Sequence, residues 1–123
     1  MSSRLRREGL FVRTLMLDSL TPRQRNQLIH RATRSQILTL AEVAANTLAG
    51  HLEVEEDARK TLYPYRDALR RIARPKGDIH WTTRRAVILK YSKALKALLS
   101  AVGPSLEREL NPSDPSDTDD EVQ

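Results

Sequence analysis

The sequence predicts an all-α protein, a compact bundle of about five helices. Between the turn signals, apolar residues recur at intervals of three and four, which places them on one face of a helix. Only four glycines occur among the 123 residues, and runs of β-branched residues are short. A chain of this length is about one domain. We therefore assign residues 1–9 to a basic N-terminal arm, 10–110 to one helical domain and 111–123 to a disordered acidic tail.

The first two helices are separated by a capping signal. The first is predicted over residues 10–19. Thr21 followed by Pro22 is typical of an N-cap with proline at the first helical position, so the second helix is expected to run from there to about Ala32.

The third predicted helix covers residues 36–49. Ser35 is expected to cap it, and Gly50 fits the left-handed conformation that ends many helices. Its apolar residues cover more than half of its circumference, which predicts that this helix is central and buried.

The fourth predicted helix begins among Glu55, Glu56 and Asp57, whose carboxylates complement the positive end of the helix dipole, and runs to about residue 73. Pro64 removes one backbone donor inside it, so the helix should be either kinked or split there. Its expected buried stripe is Ala58, Leu62, Tyr65, Leu69 and Ile72.

The fifth predicted helix begins at Thr82 or Thr83 and runs to about Val102, where Gly103 and Pro104 should stop it. Its expected buried stripe is Ile88, Tyr91, Leu95, Leu98, Leu99 and Val102.

The net charge of +5 conceals an uneven distribution along the chain. Residues 111–123 hold five acids and no base, so residues 1–110 carry 21 bases against 11 acids, a balance of +10. Residues 59–96 alone have 12 bases against two acids, Asp67 and Asp78, again +10. Pairing with acids on the same helix cannot neutralise such a surface, which therefore should attract phosphate.

The helical wheel predicts two basic ridges that face water. One lies opposite the stripe of the fourth helix and the other faces away from the stripe of the fifth. We expect them to bind DNA or another polyanion without base preference, because phosphates carry no sequence information. The candidate nucleic-acid contacts are Arg59, Arg66, Arg70, Arg71, Arg74, Lys76, Arg84, Arg85, Lys90, Lys93 and Lys96.

Catalytic and cofactor sites are not expected. Cysteine is absent, and His30, His51 and His80 lack the spacing of a helical metal pair; Asp78-Ile79-His80 is more typical of a loop hydrogen bond. The four glycines lie far apart, so there is neither a phosphate loop nor a dinucleotide fingerprint. We predict a protein that is not an enzyme, with no metal, cofactor or small-molecule substrate.

Several short motifs also occur in a characteristic order. They are Leu20-Thr21 with Gln24-Arg25, Leu40 to Gly50, Lys60 to Leu62 with Pro64-Tyr65, Leu69-Arg70 with Ile72-Ala73, and Arg84 to Ile88. This order, over about residues 15–102, resembles short basic proteins of animal mobile elements and viruses of the Polinton and adintovirus kind, which are regarded as adenovirus-like virion core proteins. That family usually continues with a Gly-Gly-Phe-like element, whereas this chain has Lys90 to Leu95. The resemblance implies a protein that packages or coats DNA, located in the nucleus or a virion, with a capsid protein as a further partner; without it, a cytoplasmic location is expected.

Two other functions are compatible with the same charge pattern. One is a helical adaptor whose basic faces dock an acidic protein. The other is attachment to an anionic membrane surface through residues 83–102, where Leu89 falls within the basic arc. RNA in place of DNA is a further alternative. The acidic tail is either a solvated end or a tethered competitor for the basic ridges.

Overall fold

A computed structural model of the protein describes residues 3–73 and 80–110, and within these ranges all regular secondary structure is helical. The predicted all-α class is confirmed. The predicted tail, 111–123, lies outside the described residues, as do Arg74 and Lys76. The helices are α1 (Ser3–Arg7), α2 (Gly9–Leu15), α3 (Pro22–His30), α4 (Arg34–Leu48), α5 (Glu56–Leu62), a short 3₁₀ helix (Tyr63–Tyr65), α6 (Arg66–Ala73), α7 (Trp81–Lys90) and α8 (Ser92–Leu110).

Helix α4 is the centre of the bundle, as its wide apolar face predicts. It packs most extensively against α6 and also contacts α7 and α1. Ile37, Leu40 and Val43 are fully buried on it. Burial of side chains of this size contributes roughly 1.5–3 kcal/mol each, so α4 organises much of the hydrophobic core.

Helices α3 and α4 both begin with a capping box, in which the N-cap residue and the third helical residue exchange hydrogen bonds. The Thr21 side chain accepts a hydrogen bond from the Gln24 backbone N–H, and the Gln24 side chain accepts one from the Thr21 N–H, which confirms the predicted cap. Helix α4 repeats this box with Thr33 and Gln36, so the prediction that Ser35 is the cap was wrong. The reason is that the glutamine lies three residues after Thr33, the spacing of a capping box. Gly50 has a φ of 79°, the predicted left-handed stop.

The N-terminal segment differs from the predicted arm. Residues 3–7 form α1, and its Leu5 is fully buried among the core side chains. Helix α2 ends at Leu15, four residues before the predicted end. Gly9 is buried, and a Cβ atom there would lie 3.1 Å from a Leu110 side-chain carbon, so the close packing of α2 and the end of α8 favours glycine.

The fourth predicted helix is split at Pro64, one of the two outcomes expected. Helix α5 ends at Leu62, and the 3₁₀ turn that contains Pro64 leads into α6. Leu62, Leu69 and Ile72 of the predicted stripe are buried, whereas Ala58 and Tyr65 are half-buried.

The fifth predicted helix is two helices. α7 begins at Trp81, one residue before the predicted start, because the His80 ring nitrogen Nδ1 accepts a hydrogen bond from the Thr82 N–H and caps the helix. Tyr91 has a φ of −109° and a ψ of 38°, which are not helical values, so the helix is interrupted between α7 and α8. The predicted stop at Gly103 and Pro104 was wrong, since α8 continues through both to Leu110. Beyond the proline, Leu106 is fully buried and the Ser105 hydroxyl donates a hydrogen bond to the Glu53 carbonyl at 2.6 Å, which offsets the lost backbone bond.

Candidate nucleic-acid interface

The predicted basic residues differ in exposure. Nine of the eleven lie in the described part of the chain. Arg66, Arg84 and Arg85 are half-buried, although the helical wheel places Arg66 and Arg85 on ridges that face water. The exposed ones are Arg59, Arg70, Arg71, Lys90, Lys93 and Lys96.

Arg59 and Arg66 line one groove, which we call the Tyr63 groove. It has a volume of about 740 Å³ and lies between the end of α4, the following segment and α5 with α6. Arg70, further along the same flank of α6, lines an adjacent depression beside Ala45 and Leu48 of α4. These arginines therefore lie on the α4 side of their helices instead of opposite the buried stripe. The groove is lined by Thr47, Leu48, Gly50, His51, Leu52, Glu53, Val54, Arg59, Leu62, Tyr63, Arg66 and Leu69.

Lys93 and Lys96 line a second groove, the α8 groove, with a volume of about 450 Å³. Its other wall is the opposite flank of α5 and the 3₁₀ turn, formed by Ala58, Thr61 and Tyr65. The structure thus brings together Arg59 with Arg66, and Lys93 with Lys96. The two pairs lie on opposite flanks of α5 and form two separate basic surfaces.

Arg84 and Arg85 donate hydrogen bonds to backbone carbonyls of other elements of the fold. Arg84 donates from Nη1 to the carbonyl of Ala73, the last residue of α6, at 3.3 Å, and burial lowers the pKa of this guanidinium. An arginine still remains protonated near neutral pH. Arg85 donates from Nη1 to the carbonyl of Ala32, just after α3, at 3.4 Å. Both cations lie at the C-terminal end of a helix, where the dipole favours positive charge, so they stabilise the packing of α7.

Tyr63 is a candidate site residue that sequence reasoning missed. Its side chain is 62% exposed, and the Arg66 guanidinium lies 4.1 Å above the centre of its ring. Arg66 also donates from Nη1 to the Tyr63 carbonyl at 3.2 Å, which holds the guanidinium in place. The signal in the sequence is an aromatic residue outside the apolar stripe, with arginines four residues before and three residues after it.

Residues 3–73 and 80–110 hold neither a metal-binding cluster nor a membrane-spanning helix. No group of three or more histidine, aspartate or glutamate side chains there is arranged to hold a metal ion. No helix in the same ranges has the length and apolar character needed to cross a membrane. His80 caps α7, as described above, while Asp78 and Ile79 lie outside the described residues.

Comparisons of the chain with protein-family models, with curated protein sequences and with solved structures find no match. The likeness to virion core proteins therefore stays a prediction from short motifs.

Proposed function

We propose that this protein binds nucleic acid, with DNA as the leading candidate, through the basic surfaces beside α5 and without reading base sequence. It acts as a binding protein and not as an enzyme. Phosphate contacts dominate such binding, and they fix position on the strand without distinguishing one base from another.

The observation that carries the proposal is that most of these cations form no ion pair with a described carboxylate. In the described parts of residues 59–96, the single carboxylate is Asp67, which pairs with Arg70 at 3.0 Å. Arg59, Lys93 and Lys96 form no ion pair with any carboxylate that the structure describes. Their charge is therefore available to phosphates, and the release of condensed counterions on binding favours the complex.

The separation of the two basic surfaces supports a condensing role. Surfaces on opposite flanks of α5 would allow one molecule to contact two segments of DNA, which is one way for a protein to condense it. The resemblance to virion core proteins points to the same role on independent grounds. We therefore propose packaging in a virion or nucleus as the biological setting.

Attachment to a membrane surface has less support. Among the described large apolar side chains, those exposed are Leu10, Leu17, Leu48 and Tyr63, none of them in α7 or α8. Leu89, the residue that favoured an apolar contact in α7, is half-buried and packs against the core. The helices that carry the lysines thus present no apolar face that could enter a lipid interface.

Side-by-side binding assays at near-physiological salt test the proposal. The ligands are duplex DNA of two unrelated sequences, duplex RNA, heparin, polyglutamate and anionic vesicles. We expect both DNA duplexes to bind equally, with log affinity falling linearly with log salt at a slope of about −0.9 per phosphate neutralised. A strong preference for one DNA sequence would contradict the proposal, as would binding to polyglutamate or vesicles alone.

Charge-matched variants locate the interface. The double variants R59Q/R66Q and K93Q/K96Q each remove two charges from one basic surface. The variant R23Q/R31Q removes two exposed charges from α3 and its end and serves as the control. We expect the first two to reduce the steepness of the salt slope by about one unit for each phosphate that is no longer neutralised, and the control to change it less. Equal effects of all three would show that net charge alone drives binding and that these surfaces are not the site.

A further inference from the structure

The ring of Tyr63 is 62% exposed, and the Arg66 guanidinium covers one of its faces. Tyr63 lines the Tyr63 groove and also a second depression of about 370 Å³, whose other lining residues are Glu56, Arg59 and Lys60. A single exposed aromatic side chain is ordinary on a protein surface, and what distinguishes Tyr63 is the arginines placed beside it. Arg59 lines both of these spaces with Tyr63, and Arg66 lines the Tyr63 groove.

Both arginines are held in place and still have donors to offer. Arg59 donates from Nη2 to the Val54 carbonyl at 3.3 Å, and Arg66 donates from Nη1 to the Tyr63 carbonyl at 3.2 Å. A guanidinium has five N–H donors, and no described residue takes the others in either case. With Arg66 over one face of the ring, a planar group that carries phosphates can stack on the other face and contact both arginines.

The carboxylates near the ring do not cancel this charge. Glu53, which lines the Tyr63 groove, pairs with Arg108 of α8 at 3.2 Å. Glu56 lies in the first turn of α5, where the helix dipole stabilises a negative charge, and Lys60 lines the same depression. The cations around Tyr63 are Arg59, Lys60 and Arg66.

We propose that Tyr63 is a stacking platform for one unpaired nucleotide, whose base lies against the ring while the flanking phosphates contact Arg59 and Arg66. This inference rests on the proposed nucleic-acid binding and adds the form of the ligand, a single strand or a splayed base. Bases in a duplex are stacked on one another, so their faces cannot reach a protein side chain. Stacking on an aromatic side chain tolerates every base, in agreement with binding that ignores sequence.

An acidic helical peptide in the same groove is less well supported. The leucines at its floor are almost closed to solvent, since Leu52, Leu62 and Leu69 are 6%, 7% and 1% exposed. A peptide helix binds such grooves through apolar anchors that enter open pockets. The exposed apolar surface here consists mainly of the Tyr63 ring and part of Leu48, which suits a single planar group.

The test compares three ligands of equal phosphate number: a 12-nucleotide single strand of mixed sequence, an abasic strand of the same length, and a duplex with the same number of phosphates. The full-length chain is measured as wild type, Y63L and Y63F, with K60Q as a neighbouring variant that removes charge but not the ring. Thermal unfolding followed by circular dichroism verifies that each variant is folded.

We expect the wild type to bind the single strand more tightly than the abasic strand. Y63L should lower single-strand affinity by about 5- to 150-fold, the range for one base stacked on an aromatic side chain. Duplex and abasic affinity should fall by a much smaller factor, through the loss of the ring beneath the Arg66 guanidinium. Y63F should retain the wild-type preference because the ring remains. K60Q should weaken all three ligands to a similar extent.

Equal affinity of the wild type for single and abasic strands would overturn the stacking site, as would an equal loss for all ligands in Y63L. Tighter binding of an acidic amphipathic peptide than of the single strand would assign the groove to a protein partner instead. If duplex and abasic strands bind but no base effect is found, this inference fails while the proposed function stands. If none of the nucleic acids binds, the proposed function itself fails.

Discussion

The Arg85 guanidinium of α7 donates a hydrogen bond to the carbonyl of Ala32, a residue 53 positions earlier in the chain, at 3.4 Å. It also lies 4.9 Å above the ring of Trp81 in the first turn of α7. The side chain therefore joins the start of α7 to the end of α3, where unpaired carbonyls need donors. A basic residue counted among the candidate DNA contacts thus has a structural role.

We predict that R85Q destabilises the fold. It removes a charge-assisted hydrogen bond and a cation over a ring, so the free energy of unfolding should fall by about 1–2 kcal/mol. K93Q removes the same charge from an exposed position and should change stability by less than about 0.5 kcal/mol. Urea denaturation of the two variants measures the difference, and equal midpoints would show that the Arg85 contacts contribute nothing.

The cap of α4 offers a second comparison between neighbouring residues. T33A removes the hydroxyl that accepts from the Gln36 N–H, and we expect it to cost about 0.5–2 kcal/mol. The Ser35 hydroxyl is buried without a hydrogen-bond partner in the described part of the chain, so S35A should be nearly neutral or slightly stabilising. Thermal denaturation of both variants distinguishes the two caps. A larger loss for S35A than for T33A would favour Ser35 as the cap.

The core prediction concerns α6. Leu69 is 1% exposed, so L69A should leave a cavity and lower the free energy of unfolding by roughly 2–5 kcal/mol. L10A alters the same residue type at a position that is 80% exposed and should have little effect. Denaturant titration followed by helical circular dichroism measures both, and similar losses in the two variants would contradict this arrangement of the core.

The fold was predictable where local chemistry decides the structure. The Thr21 cap, the Gly50 stop, the split at Pro64 and the buried position of α4 each depend on a few neighbouring residues. The break at Tyr91 was not predictable, because neither glycine nor proline marks it and the apolar stripe continues through it.

Two features of the fold depend on tertiary contacts and were therefore not predicted from the sequence: the helix α1 and the C-terminal end of α8. Leu5 is buried by residues that are distant in the chain. The local sequence of α1 therefore gave no sign that this segment contributes to the core. The continuation of α8 past Pro104 depends on Leu106 and on the bond from Ser105 to Glu53.

The sequence was enough to predict which basic residues form the candidate site, but not how these residues are arranged in space. Wheel positions identified exposed side chains such as Lys93 and Lys96 correctly, because exposure on one helix follows from its own stripe. A helical wheel could not show that Arg84 and Arg85 bind the ends of other helices, because the carbonyls that accept their hydrogen bonds are distant in the chain. It also could not show that the two basic surfaces are separated by α5.

The acidic tail is connected to the fold beside one basic surface. It follows Leu110, the last residue of α8, and Arg108 of that helix pairs with Glu53 of the Tyr63 groove at 3.2 Å. Thirteen residues can span up to about 45 Å when extended, so its carboxylates can reach either basic surface. A tethered segment of this kind acts at an effective concentration in the millimolar range.

The last prediction is that neutralising this tail strengthens binding to DNA. The change replaces Asp114, Asp117, Asp119 and Asp120 with asparagine and Glu121 with glutamine in the full-length chain. If the tail competes for the basic surfaces, duplex affinity should rise at low salt, and the gain should shrink as salt screens the charges. A chain with the same thirteen tail residues in shuffled order keeps the charge and should behave as the wild type. Fluorescence anisotropy across a salt series measures all three, and equal affinities of the neutralised and wild-type chains at every salt concentration would show that the tail is only a solvated end.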